Sequence, residues 1–452
     1  MKKLFHNIIK DNNFLSLTGN VVMAGFGLVV FAMLARSFET EIFGEWVIYL
    51  TSATFVEMFR FGLTRTALIR FLSGANGVDR RRFIGSNYMI GLISTIIIII
   101  IIYFFWFLFK EPITEKGYAL FFIWYPILAI ANLPFNNALT IMQSEEKFKE
   151  ILVIRLINMV SFAGLLCWNY FGNVGLSVET IVIWHLVINA GTSIICVVFK
   201  WDGIFDLFHS TWATTKTLLN FGKYTTLTLI GSNLLRSADT FILSISVLGL
   251  GSVAQYSIPL KLTDLVQIPL RSFTATAFPR MSKASISNDI EKVKTLFYQY
   301  AGAITYLFIP ITIFGYVFAE YFVLVLGGKQ FLGIDPITGV STVLIFQVFA
   351  LYGLLLPIDR LTGVALDSIN RPKKNFYKII FMVVANVVGD LIAVFVFESL
   401  LWVALVTVLF TIIGVIVGYK YLNDEIGIKF GRIFTEGWKI FPELIRNKGK
   451  FN

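Results

Sequence analysis

Residues 90–109 read IGLISTIIIIIIIYFFWFLF, twenty consecutive positions without Lys, Arg, His, Asp or Glu. An α-helix rises about 1.5 Å per residue, so this run covers roughly the 30 Å of hydrocarbon in a bilayer. The rest of the chain has the same character. Of its 452 residues 56% are hydrophobic and 15% charged, with 45 Phe, 17 Tyr and 9 Trp, and the mean hydropathy is +0.76. A soluble chain carries about 25% charged residues. Soluble multi-domain, disordered, collagen-like, coiled-coil and secreted disulfide classes are thereby excluded. The sequence is that of an all-α integral membrane protein.

Working outward from residues 90–109 with a window of about 20 residues, twelve spans emerge. The first six are Phe14–Ala35, Phe43–Leu63, Phe83–Phe109, Tyr118–Met142, Ile151–Phe171 and Val178–Phe199. The second six are Tyr224–Leu248, Val253–Ala277, Phe297–Leu326, Ile337–Leu366, Phe376–Phe397 and Leu400–Tyr419. Loop charge tests the count independently. With the N-terminus inside, 27 of the 38 Lys and Arg fall on inner segments, only Arg36, Lys110, Lys116 and Lys329 on outer ones, and 7 within spans. A missed span would invert every later loop and erase that asymmetry. Both termini are therefore expected on the cytoplasmic side. The apolar stretch Phe14–Ala35 is too long for a signal-peptide core and lacks a small-residue cleavage site.

The chain also repeats itself. On a shift of 210 residues, Thr64-x-Thr66-Ala67-x-x-Arg70 meets Thr274-x-Thr276-Ala277-x-x-Arg280, with Ser73 two residues short of a partner. Gly44, Trp46 and Leu50 meet Ala254, Tyr256 and Leu260 on the same shift. An even number of spans per half makes the repeat parallel. The expected organisation is an N-terminal six-helix lobe (1–200), a cytoplasmic linker (201–223), a second six-helix lobe (224–421) and a cytoplasmic amphipathic tail (422–452). In that tail Ile426, Phe430, Ile433, Phe434, Phe441, Leu444 and Ile445 recur at helical spacing among Lys and Arg, which predicts a helix on the inner leaflet.

Several chemistries lack their residues. Cys167 and Cys196 sit in apolar runs, and His6, His185 and His209 lie far apart, so no disulfide framework or metal-ligand spacing is present. There is no Walker sequence and no GxGxxG after a strand. The outer loops are about ten residues or fewer by this span assignment, too short to carry a catalytic domain. No catalytic residue, cofactor or metal is expected, and the basic charge reports inner loops and anionic lipids, not nucleic acid. Two parallel bundles with short loops fit a secondary transporter with its site between them.

The opening stretch, Leu17-Thr-Gly-Asn20 through Leu34-Ala-Arg36 to Phe43-Gly-Glu-Trp46, resembles the start of bacterial oligosaccharide flippases. Leu219-Asn-Phe-Gly222, Ser237-Ala-Asp-Thr-Phe-Ile242 and Val253-Ala-Gln-Tyr256 resemble the start of that family's second lobe. The resemblance extends over nearly the whole chain by span count. It is more specific for the superfamily of multidrug exporters, peptidoglycan-precursor flippases and polysaccharide flippases than for any one branch. It implies movement of an undecaprenyl-pyrophosphate-linked oligosaccharide, such as an O-antigen unit, from the inner to the outer leaflet of the bacterial inner membrane. Polysaccharide assembly proteins would be its partners. A multidrug or organic-cation exporter and a polytopic glycan polymerase or glycosyltransferase are the alternatives.

Charges inside the spans are costly and usually face a bundle interior or a wet cavity. Arg60, Arg236, Lys261, Arg271 and Arg360 form the expected cationic site for a pyrophosphate, since guanidinium forks two oxygens. Asp239, Glu57, Asp264, Asp359 and Asp390 are the candidates for coupling to Na+ or H+, with Asp239 foremost because it lies near mid-depth on the first helix of the second lobe, where Arg236 would favour its ionised form. A structural use is equally open: Glu57/Arg60, Arg236/Asp239 and Lys261/Asp264 are i,i+3 pairs that meet on one helix face. Arg65, Arg271 and Arg155 lie near inner helix ends, where snorkelling of their heads is the favoured explanation. His185 is expected to be a packed, hydrogen-bonded histidine. Pro126, Pro134, Pro259, Pro269, Pro310 and Pro357 can kink their spans.

This topology predicts that reporter fusions at Asn173, Gly249 and Gly328 score as external, and those at Gly77, Ser210 and Asn370 as cytoplasmic. An external Ser210 would overturn both the twelve-span count and the parallel repeat.

Overall fold

The computed structural model of the protein describes residues 12–72 and 75–446. Lys2, Lys3, His6, Lys10, Ser73 and residues 447–452, on which parts of the sequence reading rest, lie outside them, as do the side chains of Phe441, Leu444 and Ile445. Among the described residues the chain forms sixteen α-helices and no strand. They are α1 (Asn12–Ser37), α2 (Thr40–Leu72), α3 (Gly77–Glu115), α4 (Ala119–Ala131), α5 (Leu133–Ser144), α6 (Phe148–Phe171), α7 (Val178–Val198) and α8 (Trp212–Ile245). They continue as α9 (Gly249–Ile286), α10 (Ile290–Val317), α11 (Ala319–Gly327), α12 (Thr342–Tyr352), α13 (Leu356–Ser368), α14 (Pro372–Phe395), α15 (Leu400–Ile426) and α16 (Phe430–Arg446).

Six helices, α3, α6, α7, α10, α14 and α15, are long and apolar enough to cross a membrane alone. The pairs α4–α5 and α12–α13 do so together, bent by 49° and 43°. With α1, α2, α8 and α9 this reproduces the twelve expected spans. The charges carried by α2, α8 and α9 lower their hydropathy. On α3 the apolar run faces outward: Ile97, Ile100, Phe104 and Phe107 are all exposed. Such a surface is stable against lipid and untenable against water.

The chain folds as two compact units, Met1–Asn233 and Leu234–Asn452. The same irregularities recur in each. In the first unit α3 departs from helical geometry at Phe109, before Pro112, and the fourth span breaks at Asn132, with Pro134 in the first turn of α5. In the second unit the equivalent helix stops at Val317 and resumes as α11, and its fourth span breaks ahead of Pro357 in α13. Pro has no N–H and cannot continue the ladder of the preceding turn. Pro259, Pro269 and Pro310, by contrast, lie inside helices that run through them.

The segment 201–223 is folded. It contains a 3₁₀ helix, Ile204–His209, and the first turns of α8. Leu218 is buried with Ala67, Leu68, Ile84 and Ile141 in a core of the first unit. The connection between Gly327 and Thr342 is longer than the span assignment implied. It is held by Asp335 Oδ1, which accepts from the N–H groups of Ile337 and Thr338 at 2.9 and 2.8 Å.

The core of the second unit gathers Phe297, Phe308, Leu361, Leu422 and Ile433. Ile433 belongs to the tail helix, so part of the apolar stripe expected to enter the leaflet is taken up by protein. α16 crosses α10 glycine on glycine: a Cβ on Gly302 would lie 2.0 Å from the Ile433 carbonyl oxygen, and one on Gly437 2.4 Å from Gly302 Cα. Small residues permit such close backbone approach in membrane helices. Tyr306 Oη donates to the Phe434 carbonyl at 3.1 Å, and the Lys429 N–H donates to Tyr298 Oη at 2.7 Å.

Candidate functional site

Within the spans of the first unit, the described residues include the charged pair Arg60 and Glu57. Arg60, on α2, is completely buried, and its guanidinium is fully engaged. It pairs with Glu57 one turn earlier on the same helix. It donates to Thr95 Oγ1 on α3 from Nε and Nη2 at 3.2 and 2.7 Å, and from Nη2 to the Ala129 carbonyl at 2.6 Å. Ala129 lies in the last turn of α4, where a helix end leaves carbonyls without intrahelical donors. Glu57 in turn accepts from Tyr125 Oη at 2.9 Å and from Asn136 Nδ2 at 3.3 Å. The pair therefore ties α2, α3 and both halves of the broken span. Arg60 was expected to line a cationic cavity; here its donors are spent on Glu57, Thr95 and the helix break, because burial leaves no solvent to satisfy them.

Besides ion pairs at helix ends such as Arg371 and Lys374 with Glu425, the described residues of the second unit form three charge clusters that bear on the site. On the exposed side, Arg236 of α8 pairs with Asp264 of α9, its Nη2 lying 2.6 and 2.5 Å from the two carboxylate oxygens. The expected Arg236/Asp239 pair does not form: Arg236 points outward with 55% of its side chain exposed, whereas Asp239 is 3% exposed. Lys261 is half-buried one turn before Asp264. Deeper, Lys378 of α14 pairs with Asp359 of α13 at 2.6 Å, and its ammonium also donates to the Asp359 carbonyl and, at 3.3 Å, to Thr362 Oγ1. Lys378 reads as an inner-loop cation in the sequence, yet it is 3% exposed.

The third cluster is the candidate site. Asp239 Oδ2 accepts from Tyr256 Oη at 2.5 Å, with Thr407 Oγ1 at 3.5 Å. The Asn386 amide nitrogen bridges two carboxylates, donating to Asp239 Oδ1 at 3.0 Å and to Asp390 Oδ2 at 2.9 Å. Asp390 and Asn386 are fully buried, and Asp390 Oδ1 and Asn386 Oδ1 have no hydrogen-bond partner.

The five candidate coupling carboxylates now separate by geometry. Glu57, Asp264 and Asp359 are each neutralised by a cation, Arg60, Arg236 and Lys378. Asp239 and Asp390 have no such ion pair among the described residues; they meet each other. Two carboxylates this close repel when both are ionised. The carboxylates of Asp239 and Asp390 and the Thr407 hydroxyl are oxygen donors of the kind a hard cation takes. Asn386 presents its N–H groups to the carboxylates, and the carboxylate pair could alternatively share a proton.

Asn386 and Lys378 were missed by the sequence reading, though a signal exists. Lys378, Met382, Asn386 and Asp390 are spaced by four and are all buried on one side of α14, a polar stripe on an otherwise apolar helix. The remaining cations stand apart from these clusters. Arg271 and Arg360 are exposed, without a carboxylate in ion-pair range among the described residues. Arg65 is exposed and donates to Gln143 Oε1 at 3.1 Å. His185 is packed among Trp46, Tyr49 and Phe162, with Tyr49 Oη 3.4 Å from its Nδ1.

This arrangement of helices is that of a known fold. The chain superposes on the inward-facing form of a multidrug resistance MATE family transporter of the MOP superfamily with a TM-score of 0.73, at 16% identity over 89% of this chain and 94% of that one. It superposes on the lipid II flippase MurJ in an inward closed conformation with a TM-score of 0.72, at 15% identity over 96% and 93%. A MOP superfamily transporter from Pyrococcus furiosus gives 0.62, at 16% identity over 92% and 95%. The protein thus has the MOP superfamily fold. Within it, the chain belongs to the polysaccharide biosynthesis protein family, whose sequence profile matches residues 9–285. A probable low-salt glycan biosynthesis flippase, Agl15, of Haloferax volcanii is 23% identical over 240 residues, 53% of this chain and 48% of that protein. The match thus spans about half of each.

The buried Lys378–Asp359 pair generates a stability prediction. Lys378→Met alone should destabilise the protein by about 3–5 kcal/mol, because it strands Asp359 without a counter-ion. The double change Lys378→Met/Asp359→Leu should recover most of that loss. Thermal unfolding in detergent checks this, and additive single effects would refute it.

Proposed function

We propose that the protein is a flippase, a secondary transporter and not an enzyme, that moves an undecaprenyl-pyrophosphate-linked oligosaccharide from the inner to the outer leaflet of the cytoplasmic membrane. Transport is coupled to Na+ or H+. The observation that carries this reading is the contrast in the second unit between hidden acids and displayed cations. Asp239 and Asp390 are buried, whereas Arg236, Arg271 and Arg360 are exposed on α8, α9 and α13. An exposed guanidinium inside a membrane span calls for an anion, and a pyrophosphate headgroup supplies one with oxygens spaced for its fork. An organic cation would meet repulsion from the same groups. Family membership and the glycan flippase from Haloferax support the same substrate class.

In this mechanism Arg271 and Arg360 attract the headgroup, with Arg236 exchanging Asp264 for phosphate and Lys261 adding charge beside it. Asp239, Asp390, Asn386 and Thr407 take up the driving cation. Binding there removes the repulsion between the two carboxylates, which gives the ion a differential affinity for the arrangement that brings them together. Both termini and the tail helix lie on the cytoplasmic side in this proposal.

Asp239→Asn should abolish ion-driven transport while leaving membrane insertion and folding intact, since the amide keeps the size of the carboxyl but not its charge. Full transport by this variant would make Asp239 structural. Arg360→Ala should weaken binding of a lipid pyrophosphate oligosaccharide to the purified protein by about tenfold to a hundredfold. Arg360→Lys should restore only part of it, because ammonium cannot form the bidentate fork. Wild-type binding by Arg271→Ala and Arg360→Ala alike would overturn the cationic headgroup site.

A further inference from the structure

Between α7 and α8 the chain displays aromatic rings where the sequence is otherwise polar. Phe208 is 94% exposed, Trp212 76% and Phe205 63%. None of the six residues of the 3₁₀ helix Ile204–His209 is buried. Scattered exposed rings on the spans face lipid and need no explanation, but these lie outside the apolar spans. Apolar surface left in water costs roughly 25 cal/mol per Å², and contiguous patches of it mark a binding surface.

The display is held rigidly. The 3₁₀ helix packs on the first turns of α3, and a Cβ on Gly85 would lie 2.1 Å from the Asp206 carbonyl oxygen, so only glycine admits the contact. The Thr211 N–H donates to Ser86 Oγ at 3.3 Å, and Ser86 Oγ lies 2.5 Å from Thr214 Oγ1.

Its depth follows from α3. Gly85 lies five residues before Ile90, where the uncharged run begins, a rise of roughly 7 Å. The headgroup layer adds about 5–7 Å to each face of the hydrocarbon. The 3₁₀ helix therefore sits at headgroup level. Two cations stand beside it: Arg81, 61% exposed, is 3.9 Å from Asp206, and Lys200 Nζ is 5.7 Å from the centre of the Phe205 ring. The nearby Asp202 is hidden, with a completely buried side chain. Burial raises its carboxyl above the ordinary range, against the pull of backbone N–H groups including those of Ile204 and Gly203.

We propose that Ile204–Trp212 is a lipid-binding surface that inserts Phe205, Phe208 and Trp212 among the acyl-chain ends of the membrane interface and presents Arg81 and Lys200 to anionic phospholipid headgroups. Rings favour this depth because one face is apolar and the layer is wet. Basic groups add attraction to anionic headgroups there. Rigid mounting on α3 means that the lipid contact fixes the height of the first unit in the bilayer.

Depth measurement by spin labelling tests this. In full-length protein with Cys167→Ser and Cys196→Ser, nitroxides are placed at Phe208→Cys and, as a control roughly 21 Å beyond Ile90, at Asn76→Cys. The protein is reconstituted in vesicles of phosphatidylcholine with phosphatidylglycerol. The expected result is a severalfold loss of collisions with an aqueous nickel chelate at 208 relative to 76, with collisions with oxygen retained. Equal nickel contact at both sites means water covers the rings, and loss of both nickel and oxygen contact means protein covers them; either overturns the proposal. Removing phosphatidylglycerol should raise nickel contact at 208, and Arg81→Gln/Lys200→Gln should abolish that dependence. An unchanged lipid dependence in the double variant would refute the role of the two cations.

Discussion

Hydrocarbon offers no partner to a polar group, so each departure from regular helix inside the membrane must be answered by another part of the protein. The broken fourth span of each unit illustrates this. In the first unit the carbonyl of Ala129, at the end of α4, is met by Arg60, and the arginine is balanced by Glu57. In the second unit Lys378 balances the Asp359 carboxylate in the first turn of α13 and also donates to the Asp359 carbonyl. The helix itself can satisfy that carbonyl, so there the cation answers a buried charge beside the bend and not the bend's own backbone. In both, a helix bend and a buried cation from a different helix come together. The two units share the juxtaposition and not its chemistry: an arginine from the second span caps a freed carbonyl in one, and a lysine from the fifth span neutralises a carboxylate in the other.

That constraint also explains what a carboxylate in these spans can do. One that has a cation is occupied in holding helices together. Asp239 and Asp390 lack that compensation among the described residues and have hydroxyl and amide groups around them instead. When both are ionised they repel, and no cation among the described residues pairs with either. The same physics that makes Arg60 a structural group makes this pair a responsive one.

Much of the architecture was legible from the sequence because hydrocarbon thickness imposes a length and loop charge imposes a side. Residues 90–109 and the clustering of Lys and Arg in alternate loops were enough to count twelve spans. Side-chain partners were harder to read. Spacing of three identified Glu57 with Arg60, since both lie on one helix, but it misassigned Arg236, whose partner Asp264 is on the next helix. Lys378 was taken for a loop cation because it stands near Lys373 and Lys374. Only the stripe through Met382, Asn386 and Asp390 marks it as inward-facing. Partners that come from different helices are set by packing, and a single sequence does not display packing.

The crossing of Gly302 by Gly437 has a consequence for the birth of the molecule. α10 enters the membrane well before α16 is synthesised, so its glycine face stays open during the interval. Tyr298 and Tyr306 then lack the backbone partners that the tail later supplies. The second unit is therefore closed by a helix that follows its membrane spans in the chain. A chain in which α16 cannot reach Gly302 would keep every span and leave that one seam on α10 open.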